Sequence, residues 1–306
     1  MPRVPRPQFQ QLGVIGCGLI GGSFALGMKR TGMVKRVVGY SKSPNTTETA
    51  KRMGVIDVAA ESALLAVSGS DIVLIAVPVS ATEPTLRAIR HLVQPGTLIM
   101  DAGSTKADVA IAAQKVLGPL AAHFVPAHPI AGKELSGVAH ADAMLFQGRQ
   151  VILTPLPEND HAMVQRAAGA WAGLGCKVLK MTPENHDAAY AAVSHFPHLL
   201  AFAYFHSVMR QPSGREFMEL AGTGFRDFTR IAGGEPAVWR DVLLANRDEV
   251  LHQSQRLRTA LDRLEHFMKE GDASALETVL RQVSESRNKW APAFFDAEDG
   301  EPSSHF

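Results

Sequence analysis

The chain has 306 residues, 46% of them hydrophobic and 20% charged, which is the composition of a globular protein of one large or two ordinary domains. A net charge of +1 provides no overall field to attract nucleic acid or an anionic membrane, and two cysteines argue against a disulfide framework. Because the apolar runs are strand-sized and the amino terminus lacks a signal-peptide core, we expect a soluble cytoplasmic protein that binds neither membrane nor nucleic acid.

The first part of the chain alternates short apolar runs with amphipathic stretches, which predicts β-α-β units around a parallel sheet. The predicted strands cover residues 12–15, 36–40, 71–77, 98–101, 124–127, 150–154 and 177–181. The predicted helices cover residues 18–30, 45–53, 83–92, 109–117 and 160–174.

The pattern changes at Thr182-Pro183-Glu184. Thr182 suits a helix cap, and Pro183 suits the first turn of the helix that follows. From there to about residue 290 the pattern is helical, without a convincing strand. We therefore predict an α/β domain with a parallel sheet over residues 1–182 and an all-α domain over residues 183–306.

A glycine-rich segment directly follows the first predicted strand and opens the first predicted helix. Its spacing fits G-x-G-x-x-G, in which glycines let the backbone approach a pyrophosphate that the helix amides bind. A glycine-rich turn without a ligand is the alternative, and the strand-to-helix context argues against it. The sequence therefore predicts a Rossmann-type dinucleotide site that includes Gly16, Gly18, Leu19, Ile20 and Gly21.

The end of the second predicted strand bears on the choice of cofactor. The glycine fingerprint expects a carboxylate there to hold the adenosine ribose hydroxyls, but the chain has Ser41-Lys42 instead. A serine beside a lysine tolerates or binds a 2′-phosphate, which favours NADP slightly over NAD; an ordinary surface lysine explains Lys42 equally well. Val77 and Pro78 end the third predicted strand at the same sheet edge. They are either cofactor-site residues or residues that only end the strand and begin a loop.

Two further segments follow the fourth and fifth predicted strands at this edge. Asp101-Ala102-Gly103-Ser104-Thr105-Lys106 carries a hydroxyl and a lysine on a tight turn, and His128-Pro129 begins the other segment. A histidine here can accept the proton of a substrate hydroxyl, as alcohol oxidation requires. A lone histidine before a proline is more often a packed loop residue, but the shared edge with Ser104 and the glycine loop favours the catalytic interpretation.

The helical part contributes two more groups of polar residues. Pro197 in Ser194-His195-Phe196-Pro197-His198 predicts a bend in the helical stretch. Arg226 and Arg230 lie four apart, and on a helix over residues 225–232 they would share a face suited to a ligand with two carboxylates. Surface arginines paired with acids such as Asp227 are the alternative.

Five segments together resemble the prephenate and arogenate dehydrogenases. They are residues 16–23, 101–106, 128–132, 194–198 and 224–232, in the same order within a resemblance that runs over roughly residues 10–290. The resemblance implies an amino-terminal Rossmann domain, a helical domain that forms a homodimer, and an active site between the two. It also implies the short, monofunctional form without a fused mutase or regulatory domain.

The resemblance implies an activity and roles for individual residues. The activity is the oxidative decarboxylation of prephenate, or of arogenate, with NAD or NADP and no metal, on the route to tyrosine. His128 is then the catalytic histidine at the ring hydroxyl, Ser104 orients that histidine and the nicotinamide, and Arg230 grips the ring carboxylate. Substrate-site positions implied in the same way are Arg226 near the side-chain carboxylate, His198, Glu134, Ser194 and Trp239.

Other classes of protein remain as alternatives. A β-hydroxyacid dehydrogenase or an imine reductase shares the two-domain layout, but their catalytic lysine has no persuasive counterpart in the second domain, and they leave the His128 segment unexplained. A sensor that binds NADP without chemistry is a more remote alternative. The sequence does not decide between prephenate and arogenate.

Overall fold

The structure is a computed structural model, and it describes residues 8–132 and 135–290. The chain divides into two compact units, the first ending at Arg247 and the second beginning at Asp248. Several helices that follow residue 182 belong to the first unit, so the domain boundary near residue 182 stays a prediction. Among the described residues, no helix has the length and apolar character needed to cross a membrane.

The first unit is built on a six-stranded parallel sheet, which confirms the predicted fold class. Its strands are β1 (Phe9–Ile15), β2 (Val34–Tyr40), β3 (Val58–Ala59), β4 (Ile72–Ile75), β5 (Leu98–Asp101) and β6 (Phe124–Val125). They lie in the order β3-β2-β1-β4-β5-β6, so the direction of the strand order reverses between β1 and β4. In sheets of this kind, ligands bind outside the carboxyl ends of the strands at that reversal.

The helices of this part lie close to their predicted positions. They are α1 (Leu19–Arg30), α2 (Pro44–Arg52), α3 (Ala63–Val67), α4 (Thr82–Ile89), α5 (Ala107–Leu117) and α6 (His161–Gly173). The sequence pattern misses β3 and α3, which are too short to show a period. The third predicted strand ends earlier than expected, at Ile75, because the chain leaves the sheet for the loop that contains Pro78.

The fifth predicted strand, residues 124–127, is wrong as a single strand because the chain changes sheets at Pro126. Proline has no backbone N–H to continue the ladder. The chain enters a second sheet as β7 (Ala127–Pro129), which pairs antiparallel with β8 (Gln150–Leu153), and β8 pairs parallel with β9 (Lys177–Lys180). His128 therefore lies on a strand, opposite Ile152.

The core lies on both faces of the six-stranded sheet. Along β1, Leu12 and Val14 belong to one buried cluster and Ile15 to the other, as alternating side chains require. The first cluster contains Trp171 of α6, whose ring meets Phe24 edge-on with centroids 4.7 Å apart. Full burial of large apolar side chains such as these stabilises the fold by about 1.5–3 kcal/mol each.

The helical part begins with α7 (Pro183–Tyr190), which Thr182 caps by accepting a hydrogen bond from the amide of Asn185. A π-helical turn (Ala191–His195) follows and leads into α8 (Phe196–Met209), so the helix is irregular directly before Pro197, where the sequence predicted a bend. The remaining helices are α9 (Gly214–Glu219), α10 (Thr223–Thr229), α11 (Pro236–Ala245), α12 (Arg247–Glu270) and α13 (Ala273–Lys289).

Candidate active site

The three glycines of the loop after β1 have different surroundings. Gly16 has φ +97°, and a Cβ there would lie 2.2 Å from the carbonyl oxygen of Ala76 at the end of β4. A Cβ on Gly21 would lie 2.0 Å from the carbonyl oxygen of Gly16. Gly18, in contrast, has an ordinary φ of −73° and nothing within 4 Å of its Cβ position. The fold needs glycine at 16 and 21, whereas Gly18 leaves open space in front of the amino terminus of α1.

That open space belongs to a cleft of about 900 Å³ at the strand-order reversal. The cleft brings together predicted residues from the sheet edge and from the helical part, namely Gly18, Leu19, Ile20, Val77, Pro78, Ser104, His198, Arg230 and Trp239. Other predicted residues are not among its lining, namely Gly16, Gly21, Ser41, Lys42, His128, Ser194 and Arg226. Glu134 lies outside the described residues.

Ser41 supports the glycine loop from the end of β2. Its hydroxyl accepts a hydrogen bond of 2.8 Å from the amide of Cys17, and its own amide donates to Thr47 Oγ1 at 2.9 Å. Ser41 is buried, while Lys42 and Ser43 are exposed. Ser41 therefore has a structural function that the sequence did not indicate, and Lys42 is the residue of this pair that faces solvent.

A buried ion pair holds the segment that carries Ser104. Lys106 and Asp101 are both fully buried and in direct contact. Asp101 also accepts hydrogen bonds from the amides of Gly103 and Ala127, at 2.8 and 3.0 Å, and Lys106 Nζ donates to the carbonyl oxygen of Ala127 at 2.9 Å. These bonds fix the Ser104 turn relative to β7. They also provide the additional hydrogen-bond partners that a buried ion pair requires.

His128, next to Ala127 on β7, is partly buried and contacts the rings of His186 and Tyr190. Its Nδ1 lies 2.8 Å from Nε2 of His186, and its ring centroid lies 4.9 Å from that of Tyr190. Burial is the main cause that holds the pKa of His128 well below its usual value, and the positive charge of Lys106 adds to it. The imidazole is therefore neutral near pH 7, which is the form that can accept a proton.

The partners of His128 were not predicted from the sequence. His186 Nδ1 lies 2.7 Å from Oδ1 of Asp187, and the Asp187 carboxylate accepts hydrogen bonds from the amides of Lys106 and Ala107 at 2.8 and 2.9 Å. In the sequence, only the adjacent His186-Asp187 pair, which begins four residues after the Thr182 cap, could have indicated these partners. Such pairs are common on helix surfaces. Their contact with His128, 58 residues earlier, depends on how α7 packs.

His198 and Trp239 form a stacked pair on the helical side of the cleft. Their ring centroids are 3.4 Å apart, at an interplanar angle of 19°. His198 Nδ1 donates to the carbonyl oxygen of Ser194 at 2.9 Å, which leaves Nε2 as the acceptor in the neutral ring. Burial is the main cause of a lowered pKa at His198, and the charge of Arg230 adds to it. Ser194 thus orients His198 through its backbone carbonyl.

The two predicted arginines are placed differently. The expected helix over residues 225–232 is interrupted, because α10 ends at Thr229 and Arg230 begins a tighter 3₁₀ turn (Arg230–Gly233). Arg230 lines the cleft, whereas the side chain of Arg226 is 78% exposed with its Nε 3.7 Å from Oδ1 of Asp227. The shared face for two carboxylates therefore stays a prediction, and Arg226 also fits the alternative of a surface arginine beside Asp227.

The strand order, the glycine loop at the reversal and the cleft shared with a helical segment define a nucleotide-binding dehydrogenase. Two family models match consecutive parts of the chain: the prephenate dehydrogenase nucleotide-binding domain over residues 24–180, and the prephenate dehydrogenase dimerization domain over residues 182–282. The chain belongs to the prephenate dehydrogenase family.

Individual relatives agree with this assignment. The chain is 36% identical over 290 residues to the prephenate dehydrogenase of Bacillus subtilis, with 92% of this chain and 78% of the relative covered. The crystal structure of Aquifex aeolicus prephenate dehydrogenase with hydroxyphenyl propionate and NAD⁺ matches with a TM-score of 0.86 and 31% identity, covering 92% of this chain and 98% of that one. Synechocystis arogenate dehydrogenase matches with a TM-score of 0.79 and 28% identity, covering 92% and 100%.

Proposed function

We propose that this protein oxidatively decarboxylates prephenate to 4-hydroxyphenylpyruvate, using NAD or NADP, on the route to tyrosine. The observation that carries the proposal is the cleft in which Ser104 and the open space at Gly18 meet Arg230. A nucleotide loop, a hydroxyl at the sheet edge and a guanidinium for a carboxylate are the parts that this reaction needs. Membership of the prephenate dehydrogenase family supports the choice of substrate.

The substrate is a cyclohexadiene with a hydroxyl on one ring carbon and a carboxylate on the opposite carbon. A bound nicotinamide would accept a hydride from the carbon that carries the hydroxyl. His128 accepts the hydroxyl proton as the carbonyl forms. When the carboxylate leaves as carbon dioxide, the ring becomes aromatic and its oxygen takes the proton back from His128. His128 must be neutral at the start of each turnover, because only the neutral ring can accept the proton. Since His128 then gives the proton back, the reaction consumes no proton overall.

Binding of the dianion falls to the helical side of the cleft. We assign Arg230, which lines the cleft, to the ring carboxylate. A guanidinium suits this role because it forms two parallel hydrogen bonds to one carboxylate. The stacked His198 and Trp239 form a flat wall beside it. Ser104, on its turn at the end of β5, is the hydroxyl that we assign to orienting His128 and the nicotinamide.

The residues present fit a dinucleotide. A Cβ at Gly18 would project into the open space at the amino terminus of α1, where backbone amides and the helix dipole bind phosphate. For the finer choice we propose NADP over NAD. The exposed Lys42 at the end of β2, without a carboxylate beside it, supports this, while the Ser41 hydroxyl is already engaged with Cys17.

Arogenate is the second candidate substrate. It carries an ammonium group where prephenate has a keto group, and the cleft lining includes the carboxylates of Glu235 and Asp241. An acidic residue near the substrate side chain would favour the ammonium form by charge attraction. The likeness to Synechocystis arogenate dehydrogenase supports keeping this candidate.

An absorbance assay of reduced nicotinamide tests the reaction and the substrate together. Purified protein is mixed with prephenate or arogenate, each with NAD⁺ or NADP⁺. We expect the largest rate with prephenate and NADP⁺. Absence of reduction in all four mixtures, from folded protein that binds the cofactor, would overturn the proposed function.

We further propose that the protein is a homodimer through its helical part. The match to a dimerization-domain family and the exposure of apolar rings such as Tyr204 and Phe228, 44% and 47% exposed, support this. Light scattering on the purified protein should give twice the mass of one chain, and a monomer at micromolar concentration would contradict it.

A further inference from the structure

We propose that His186 and Asp187 are positioning residues that set the tautomer of His128, so that its Nε2 is the atom that accepts the substrate proton. The three side chains form a continuous series, with 2.8 Å between His128 Nδ1 and His186 Nε2, and 2.7 Å between His186 Nδ1 and Asp187 Oδ1. The inference rests on the proposed role of His128 as the proton acceptor.

Asp187 determines the direction of the hydrogen bonds in this series. Burial by itself would raise the pKa of this carboxyl, but hydrogen bonds from His186 and from the amides of Ala107 and Lys106 outweigh burial and lower it. The two amides stand at the beginning of α5, where the helix dipole also favours a negative charge. Asp187 is therefore ionised and can only accept hydrogen bonds.

An ionised Asp187 determines which nitrogens carry hydrogen in both rings. His186 must donate from Nδ1 to the carboxylate. Burial lowers the pKa of His186 despite that bond, so the ring is neutral and its Nε2 can only accept. His128 must then donate from Nδ1 to His186, which leaves Nε2 of the neutral His128 without a proton. That nitrogen has a free lone pair and can accept a proton.

The surroundings hold this series in place. The ring of Tyr190 stacks on His186, with centroids 4.5 Å apart and an interplanar angle of 26°. Asn246 Nδ2 donates to the backbone carbonyl of Asp187 at 2.8 Å and contacts Nδ1 of His195 at 3.0 Å. His186 is fully buried, so water cannot replace it as the partner of His128 without a change in packing.

The charges around His128 explain why the His186–Asp187 pair matters when His128 becomes protonated during turnover. The positive charge of Lys106 disfavours a positive charge on His128, and the carboxylate of Asp101 is already paired with Lys106. When His128 takes the substrate proton, the His186–Asp187 pair offers the imidazolium an acceptor backed by a negative charge. This is the function that an orienting carboxylate serves for a catalytic histidine in other enzymes.

A purely structural role for Asp187, as the cap of α5, predicts different behaviour. In that case the substitution of His186 would change stability but leave the turnover of the folded enzyme unchanged. Two substitutions of His186 separate the possibilities. Glutamine can donate to Asp187 and accept from His128, which preserves the direction of the hydrogen bonds. Leucine fills similar space and provides neither group.

The experiment measures kcat, KM and the melting temperature of the wild type, His128→Ala, His186→Gln and His186→Leu. We expect kcat of His186→Leu to fall at least roughly 100-fold, with KM within about threefold, because a correctly oriented base contributes about 10²–10⁴-fold. We expect His186→Gln to keep kcat within about tenfold of the wild type. A folded His186→Leu with kcat near wild type, or equal losses in both variants, would overturn the proposal.

A second measurement does not depend on the variants folding. Histidine labelled with ¹⁵N gives distinct NMR shifts for protonated and bare ring nitrogens, and we expect His128 in the wild-type protein to carry its hydrogen on Nδ1. The opposite tautomer would overturn the inference. An inactive wild type would contradict the proposed function itself, whereas an active wild type that needs His128 but not His186 would contradict only this inference.

Discussion

Ser80, in the loop after β4, donates a hydrogen bond from its Oγ to Oδ2 of Asp241 on α11 at 2.5 Å. The bond joins residues 161 positions apart in the chain, and Asp241 is itself part of the cleft lining. Hydrogen bonds from Ser80 and then Arg240 hold the pKa of Asp241 below its usual value, so the carboxylate is ionised. The sheet-edge side of the cleft is thereby tied to its helical side by a charge-assisted bond.

Removal of the Ser80 hydroxyl should weaken this tie. We expect Ser80→Ala to lower the free energy of unfolding by about 0.5–1.5 kcal/mol, the usual contribution of one hydrogen bond. Urea denaturation measures the change, and Ser80→Thr, which keeps a hydroxyl, is the matched control. Equal stability of Ser80→Ala and the wild type would mean that water replaces the bond at no cost.

The glycine loop allows a paired test of fold against binding. Gly18→Ala should leave stability nearly unchanged, because its Cβ position is open and its φ of −73° is ordinary, but it should abolish tight cofactor binding by filling the space for phosphate. Gly21→Ala should lower the melting temperature, because its Cβ would lie 2.0 Å from the Gly16 carbonyl oxygen. Thermal unfolding with and without cofactor separates the two, and tight binding by Gly18→Ala would argue against the proposed cofactor site.

Arg230 and Arg226 should differ in their effect on the substrate. Loss of one charge-assisted anchor costs about 1.5–3 kcal/mol, so Arg230→Ala should raise KM by roughly 10- to 150-fold with a smaller change in kcat. Arg226→Ala is the matched control, since Arg226 is exposed and pairs with Asp227. Steady-state kinetics at saturating cofactor gives both values. A larger KM effect at Arg226 would reverse the two assignments.

The pH dependence follows from the lowered pKa of His128. The proton acceptor works only when neutral, and a lowered pKa keeps it neutral further into acid than an ordinary histidine, whose pKa is about 6.5. We therefore expect kcat/KM to stay constant as the pH falls through 6.5 and to decline only below it. Each sample is returned to pH 7.5 and assayed again to exclude irreversible loss. An acid limb at or above pH 6.5 would contradict the assignment.

Lys42 should affect the choice between the two cofactors. If it pairs with a 2′-phosphate, Lys42→Ala should raise the KM for NADP⁺ by up to roughly fivefold, the size of one exposed charge contact, and leave the KM for NAD⁺ unchanged. Lys51→Ala, at another exposed lysine on α2, is the control. A parallel change for both cofactors would show that Lys42 does not contact the phosphate.

The sequence predicts the parts of this structure that depend on local pattern. Alternating apolar runs locate the main strands, and the spacing of Gly16, Gly18 and Gly21 locates the loop at the strand-order reversal. What it misses depends on contacts between distant segments. Asp187 meets the start of α5 some 80 residues away, and Ser41 reaches Cys17 from the end of β2. No residue period or motif spacing encodes such contacts, because they follow from the packing of whole elements.

The change of sheet at Pro126 separates a fixed part of the site from a part that can change in sequence. His128 lies on β7 and is paired in register with β8, so its backbone position is set by a ladder of hydrogen bonds and not by a loop. The segment that returns from β7 to β8 contributes Ala131, Gly132, Ser136 and Gly137 to the cleft lining. Insertions or exchanges in that segment are expected to reshape the cleft while His128, the proposed proton acceptor, stays fixed. Variants with new substrate ranges are therefore best sought there.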